Sequence, residues 1–487
     1  MRRRFLFIGC VLWSFFLYMN TFSNEFVFDD RIHVLSRENI RTLTPQTAVE
    51  YFSTPYVYQN PVAGAYRPIV VLSFAMNWAV SGDNAWSYRI VNIFLHALVG
   101  FLIGEIVYVI SHSSKRSWIV AFLFLVHPLA TEVVNSVVNR SESLGMLFSL
   151  FAILITLNWR QNWKSELLVF FSAMFAVFSK ESSIALIIPV FLLAKNKVVR
   201  GGMLILFLIA YFSIRFLVLG SHMVGTDATV AEDVLAHVST SERVRTAFSI
   251  IPVAVGKIVF PAHLSADYSF RQIEVVQTWS WLMVGGIGIF LVVGALAVWI
   301  FFKHGKMFPF FLAGCAQYMI TSNLFFAIGT IFGERLLYGV IAYLLLFGFG
   351  FFSISNEWIR RGVVALLSIW MLGSWFRVWI RNADWKNEFI FFTQMVRDAP
   401  NSVLANSNAG AMYLLSGELE LADKYITIAE KIYPKYIHIS NNRGLYYEIL
   451  GDTKKAEEKF RETLQLNPSY ETAQRNLERV QKINQGL

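Results

Sequence analysis

Asp29 and Asp30 stand side by side in Phe26-Val27-Phe28-Asp29-Asp30, a few residues past the first apolar run. An ionised carboxylate at a membrane boundary is suited to taking a proton from a hydroxyl, which is general-base chemistry. Adjacent residues do not normally face each other, so one of the pair would act and the other would position it. The competing reading is a solvated loop start with Asp as a helix cap. Other ionisable residues are scattered through apolar sequence: Arg67, His96, His127, Glu132, Arg140, Glu142, Lys180, Glu181, Glu334 and Arg335. A charge at the middle of a membrane helix costs about 2.5–3.5 kcal/mol, so each needs a partner or a purpose. Arg67, Arg140, Lys180 and Arg335 suit a phosphate, arginine through its bidentate fork. Taken singly, each is more often a snorkelling anchor. His127-Pro128, with Glu132 shortly after, ends an apolar run where proline frees backbone carbonyls. A kinked helix with a satisfied polar cluster and a direct substrate contact are both open there. No His/Cys set has zinc-ligand spacing, so neither a metal nor a resident cofactor is expected.

Positioning these groups requires membrane helices. Of the 487 residues, 55% are hydrophobic and 15% charged, and the mean hydropathy is +0.50. A soluble globular chain is nearer a quarter charged. The net charge of +9 does not mark a nucleic-acid binder. The basic residues gather in short links between apolar runs: Arg2-Arg3-Arg4, Lys115-Arg116, Lys195 to Arg200, Lys303 to Lys306 and Arg360-Arg361. That is topology signalling. Cys10 and Cys315 lie inside apolar runs and suggest no disulfide. The first run reads as an uncleaved signal anchor.

At about 20 residues per crossing, the candidate spans number about eleven to thirteen. They are Phe5–Phe22, Pro68–Val80, Ile90–Ser111, Trp118–Val138, Leu144–Trp159, Leu167–Phe178, Ile184–Ala194, Met203–Leu219, Trp279–Phe302, Phe308–Ile328, Leu336–Phe352 and Val363–Ile380, with Phe248–Phe260 a further span or a re-entrant piece. With Arg2-Arg3-Arg4 inside, outer segments are expected at 23–66 and 221–277, and Asp29, Lys180, Glu181, Glu334 and Arg335 share the outer face. Lys115-Arg116 breaks this count unless Pro68–Val80 fails to cross.

After Arg381 the chain turns polar and periodic. Tyr413/Tyr447, Gly417/Gly451, Ala422/Ala456 and Pro434/Pro468 are each separated by 34 residues, as are Asn408/Asn442 and Gly410/Gly444. That period, with Gly at the inter-helix turn and Pro after the second helix, is the tetratricopeptide signature. Two repeats, 401–434 and 435–468, and a closing helix 470–483 follow a linker, 382–400. So short an array is expected to pack on the membrane domain, 1–381, or on a partner.

In order along the chain, Phe26-Val27-Phe28-Asp29-Asp30, Tyr66-Arg67-Pro68-Ile69, Asn92-Ile93-Phe94-Leu95-His96, His127-Pro128-Leu129 with Glu132, Asn139-Arg140-Ser141-Glu142, Ser179-Lys180-Glu181, Phe260-Pro261 with Asp267-Tyr268, Glu334-Arg335-Leu336-Leu337-Tyr338, and Arg381-Asn382 with Asp384-Trp385 precede the repeats. In these pieces the chain resembles the transmembrane and tetratricopeptide-repeat O-mannosyltransferases of the GT-C glycosyltransferase class. The resemblance implies an all-α architecture: a polytopic GT-C-like helical membrane domain followed by a short tetratricopeptide α-solenoid. It implies metal-independent, inverting transfer of mannose or a similar hexose from a polyprenyl-phosphate donor to a hydroxyl outside the cytoplasm, that of a protein serine or threonine. Asp29 or Asp30 would be the base. Arg67, His127, Glu132, Arg140, Lys180, Glu181, Glu334 and Arg335 would line the substrate and phosphate site. The array is shorter than in long eukaryotic members, which favours a bacterial inner-membrane protein with site and repeats in the periplasm, or the lumenal side of the endoplasmic reticulum in a eukaryote. The alternatives are a non-enzymatic scaffold or lipid-linked glycan transporter with a docking module, and a transferase acting on glycolipid or polysaccharide.

Overall fold

The computed structural model describes residues 1–57, 61–223, 226–303, 305–351 and 356–485. Parts of the expected outer segments 23–66 and 221–277, and the end of the expected span Leu336–Phe352, lie outside them.

The membrane part is all-helical. In chain order it runs α1 (Arg2–Tyr18), α2 (Pro45–Ser53), α3 (Pro68–Ser81), α4 (Ala85–Ser111), α5 (Ser114–Leu125), α6 (Ala130–Asn135), α7 (Arg140–Asn158), α8 (Trp163–Val177), α9 (Ile187–Leu192), α10 (Lys197–Leu219), α11 (Thr240–Val259), α12 (Trp281–Lys303), α13 (Phe308–Ile320), α14 (Tyr338–Gly348) and α15 (Glu357–Ala383). Local signals start several of them. The Asn162 side chain caps α8 with Ser165 in reciprocal bonds, Asn196 caps α10, and Ser239 with Glu242 caps α11.

Six helices among the described residues are long and apolar enough to cross a bilayer: Arg2–Thr21, Ala85–Ser111, Arg140–Asn158, Lys197–Met223, Trp281–Lys303 and Glu357–Ala383. The chain is a multi-pass membrane protein. Fewer single helices of spanning length exist than the eleven to thirteen expected, because several apolar runs are broken. Trp118–Val138 splits at His127-Pro128 into α5 and α6, since proline offers no N–H to continue the ladder. Ile184–Ala194 is a 3₁₀ segment, Glu181–Leu186, running into α9. Pro68–Ser81, Glu181–Leu192 and Phe308–Ile320 are apolar but too short to cross a ~30 Å core singly.

Helix α4 is the central strut, packed on α1, α5 and α7. Its buried Glu105 pairs with Arg2 and Arg3, each at 2.7 Å, while Arg89 near its other end donates to the Glu25 carbonyl beyond α1. Helices α1 and α4 are therefore antiparallel. Lys115-Arg116 consequently lies on the same face as Arg2-Arg3-Arg4, and the basic-link bias is kept because the fourteen-residue α3 does not cross. On that same face Arg200 grips Glu166 with two bonds, at 2.8 and 3.1 Å, and ties α10 to α8. Long apolar side chains on α12 and α15, such as Leu291 and Leu366, stay exposed, as lipid-facing residues would.

Residues 382–400 are more than a linker. They carry α16 (Glu388–Asp398), which packs with α17 (Val403–Ser416), followed by α18 (Leu419–Ile432), α19 (Ile437–Ile449), α20 (Thr453–Leu466) and α21 (Glu471–Asn484). Successive helices pack as neighbours. Gly410 and Gly444 occupy matching places. A Cβ on the first would press on Ile426 and on the second on Phe460, so glycine permits close helix approach. This C-terminal region touches the membrane part near Asp29. Glu25 N–H donates to the Lys386 carbonyl at 2.8 Å, and Arg31 pairs with Glu388 at 2.7 Å. Asn382 knits the end of α15 to Leu17 at the end of α1, to Asn20 just beyond it, and to Asn135 of α6.

Candidate active site

Asp29 follows Phe28, which has a left-handed backbone (φ 53°). That conformation is unfavourable for a bulky residue and persists only where surroundings impose it. Here the Phe28 ring packs against Phe391 and Phe392 of α16, each at 5.9 Å between centroids. On the other side Asp30 is fully buried and accepts from Val138 N–H at 3.0 Å and Ser136 Oγ at 3.3 Å. Burial raises the Asp30 carboxyl and nearby Arg89 opposes it. Clamped from both sides, the chain turns Asp29 into a cavity of about 570 Å³ that Asp30 does not line.

Asp29 is half-buried, and among the described residues none donates a hydrogen bond to its carboxylate. Burial, opposed by Arg335 and reinforced by Asp30, pushes it up to about 6. That suits a base: largely ionised at neutral pH yet basic enough to hold a proton.

Cations dominate the charged lining. Arg335 lines the cavity and is held by Glu132, whose carboxylate takes the Arg335 guanidinium at 2.6 Å and its backbone N–H at 2.9 Å. Lys180, also lining, pairs with buried Glu142 at 2.6 Å. Arg67 donates through Nε to Glu181 at 3.1 and 3.2 Å, and Arg215 of α10 approaches the same carboxylate at 3.8 Å. Close approach of α7 fixes this wall. A Cβ at Gly145 would meet Ser183 and stand 3.0 Å from the Lys180 Cβ.

Of the expected site residues, the cavity gathers Asp29, Arg67, Lys180, Glu181 and Arg335. Five do not line it. Asp30 is the anchor described above, and Glu132 stands behind Arg335, bonded to it. Arg140 is fully buried and spent on Asn92, Asn77, Ser73 and the Tyr88 carbonyl, at 2.8–3.3 Å, so it cannot reach a ligand there. His127 joins Ile258 O at 3.0 Å through Nε2 and accepts from Leu129 N–H at 3.3 Å, satisfying the backbone that Pro128 disrupts. Glu334 is buried against Ser265 N–H at 2.8 Å, the Tyr268 hydroxyl and Lys257 at 3.7 Å. Sequence reasoning missed Arg215, His33, Tyr56 and Tyr211, which also line the cavity. Arg215 carried a signal, a lone cation in the apolar run Met203–Leu219. The other three carried none.

The fold and site define an all-helical, multi-pass membrane protein with an acid-and-cation cavity at the end of its membrane helices. No family profile matches the chain. It is nevertheless a distant homologue, at about 25% identity over most of its length, of the TMTC family of protein O-mannosyl-transferases. It is 25% identical over 496 residues to protein O-mannosyl-transferase TMTC3 of Homo sapiens, covering 93% of this chain and 54% of the relative. It is 26% identical over 437 residues to protein O-mannosyl-transferase F38B6.6 of Caenorhabditis elegans, covering 86% and 61%. A shorter match of 32% over 140 residues, 28% of this chain and 17% of the relative, joins it to TMTC2 of Homo sapiens. The chain spans a little over half the length of the first two relatives.

Proposed function

We propose that this chain is a membrane glycosyltransferase that moves mannose, or a similar hexose, from a polyprenyl-phosphate donor to a hydroxyl of a protein. The observation that carries the reading is Asp29: a carboxylate with no hydrogen-bond donor among the described residues, in a cavity it shares with Arg67, Lys180, Arg215 and Arg335. The homology to O-mannosyl-transferases supports the reaction class and the sugar.

In the proposed step Asp29 takes the acceptor hydroxyl proton as that oxygen attacks the anomeric carbon. The new C–O bond forms on the face opposite the lipid phosphate. The bond from the anomeric carbon to the phosphate oxygen breaks, and its electron pair leaves with the polyprenyl phosphate, so configuration inverts. The leaving group already bears negative charge and needs no proton. The four cations stabilise it in a site of low dielectric. Glu132, Glu142 and Glu181 hold all four of those cations in place before substrate arrives, Glu181 pairing with both Arg67 and Arg215.

In this reading residues 1–381 form a GT-C-like domain. The helices of 401–434 and 435–468 are tetratricopeptide pairs closed by 470–483, and they present protein acceptors to the cavity. The 34-residue register and the matched close approaches at Gly410 and Gly444 support the repeats. The cavity and repeats then lie outside the cytoplasm, opposite the basic links. Membranes carrying the chain should transfer labelled mannose from polyprenyl-phosphate mannose to protein. Full transfer by Asp29→Asn would overturn the assignment.

A further inference from the structure

Part of the cavity lining is neutral and aromatic. His33 lies four residues past Asp29 on a wide π-type turn, Arg31–Leu35, which closes with Ser36 N–H donating to the Arg31 carbonyl at 2.9 Å. Such turns redirect side chains and recur at functional sites. The His33 ring stacks on Tyr56 at 4.8 Å and 22°, and the Arg67 guanidinium lies 5.0 Å from the Tyr56 ring centre. Both rings line the cavity with Asp29.

The half-buried His33 ring opens on the cavity, and no hydrogen bond joins either of its nitrogens to a described residue; the Tyr56 hydroxyl behind it is buried without a partner. Burial, with Arg37 and Arg67 adding to it, pulls the imidazole down to about 4, so it stays neutral with one donor and one acceptor. An unpaired imidazole on a cavity wall can meet a ligand directly, and a buried hydroxyl left without a partner is uncommon enough to call for a role. A phosphate has the cations to meet. An aromatic wall with a donor, an acceptor and a hydroxyl instead fits a ring with an apolar face and several hydroxyls.

We propose that His33 and Tyr56 form a saccharide subsite, which receives the hydroxyls of the donor hexose while the cations take its phosphate. This rests on the transferase reading above.

The test uses membranes with the full chain, polyprenyl-phosphate mannose as donor, and sugar-free polyprenyl phosphate as competitor. His33→Ala should raise the donor KM about tenfold, with Tyr56→Phe raising it less and His33→Gln recovering part of the loss. The competitor, which has no sugar to place, should inhibit every variant as it inhibits wild type. A donor KM within about twofold of wild type in both His33→Ala and Tyr56→Phe overturns the subsite. An equal loss of competitor affinity does so too, since it marks damage to the whole cavity. Wild-type membranes that bind the competitor but transfer no sugar overturn the transferase reading, and the subsite with it.

Discussion

Asp29 and Asp30 are neighbours in the chain with opposite environments: Asp29 faces the cavity, while Asp30 is buried against Ser136 and the Val138 N–H at 3.3 and 3.0 Å. The left-handed Phe28 just before them sets the turn at which the two part. Their substitutions should therefore fail differently. Asp29→Asn should cut transfer by at least about 100-fold with unchanged thermal stability. Asp30→Ala should lower the thermal midpoint, because it leaves the Val138 N–H without its acceptor. Transfer assays beside thermal unfolding in detergent separate the two. Equal stability loss in both would contradict the division.

The pH dependence follows from Asp29. A base works only when ionised, and its carboxyl is raised to about 6. The transfer rate should be flat above that value and fall as pH drops through it, by about tenfold per unit well below. A kcat/KM profile between pH 4.5 and 8 checks this, and the Asp29→Asn variant should lose the acidic limb.

Glu132 does not line the cavity, yet it holds both the guanidinium and the backbone of Arg335. Glu132→Gln should raise the donor KM by about tenfold through loss of that orientation. Arg335→Lys should not restore affinity, since a point charge cannot reproduce the fork. Donor titrations on both variants decide it.

Arg140 belongs to the scaffold. Arg140→Met strands the side-chain oxygens of Asn92 and Asn77 in the interior, with an expected loss of about 3 kcal/mol of stability. The fraction that folds should keep its wild-type donor KM, measured on size-selected protein.

The aromatic pair of α16 bears on the catalytic segment. Replacing Phe391 and Phe392 by Ala together removes the packing that holds Phe28, so kcat should fall about tenfold to 100-fold while the donor KM stays near wild type. An unchanged kcat would mean that the segment keeps its turn without α16.

Much was legible in the sequence because it is local. Apolar runs show helices, and a 34-residue period with Gly417 and Gly451 at the turns shows paired helices after residue 400. Side-chain type alone also marked Arg67, Lys180, Glu181 and Arg335 as unusual, since charge beside apolar sequence is costly wherever the chain folds. Contact and direction were not legible. Whether Arg140 meets a ligand or four neighbours depends on α3 and α4 arriving beside α7. Whether the run at Trp118–Val138 crosses depends on what satisfies the backbone at Pro128. His33, Tyr56 and Tyr211 look like ordinary sequence until packing places them around one cavity. Sequence alone thus determined which residues were costly and where the long apolar helices and the paired C-terminal helices lie, because both are properties of single residues and their spacing. Only the tertiary structure decided that Asp29 faces the cavity and Asp30 the interior, because that depends on Phe391, Phe392 and Val138, more than a hundred residues away along the chain.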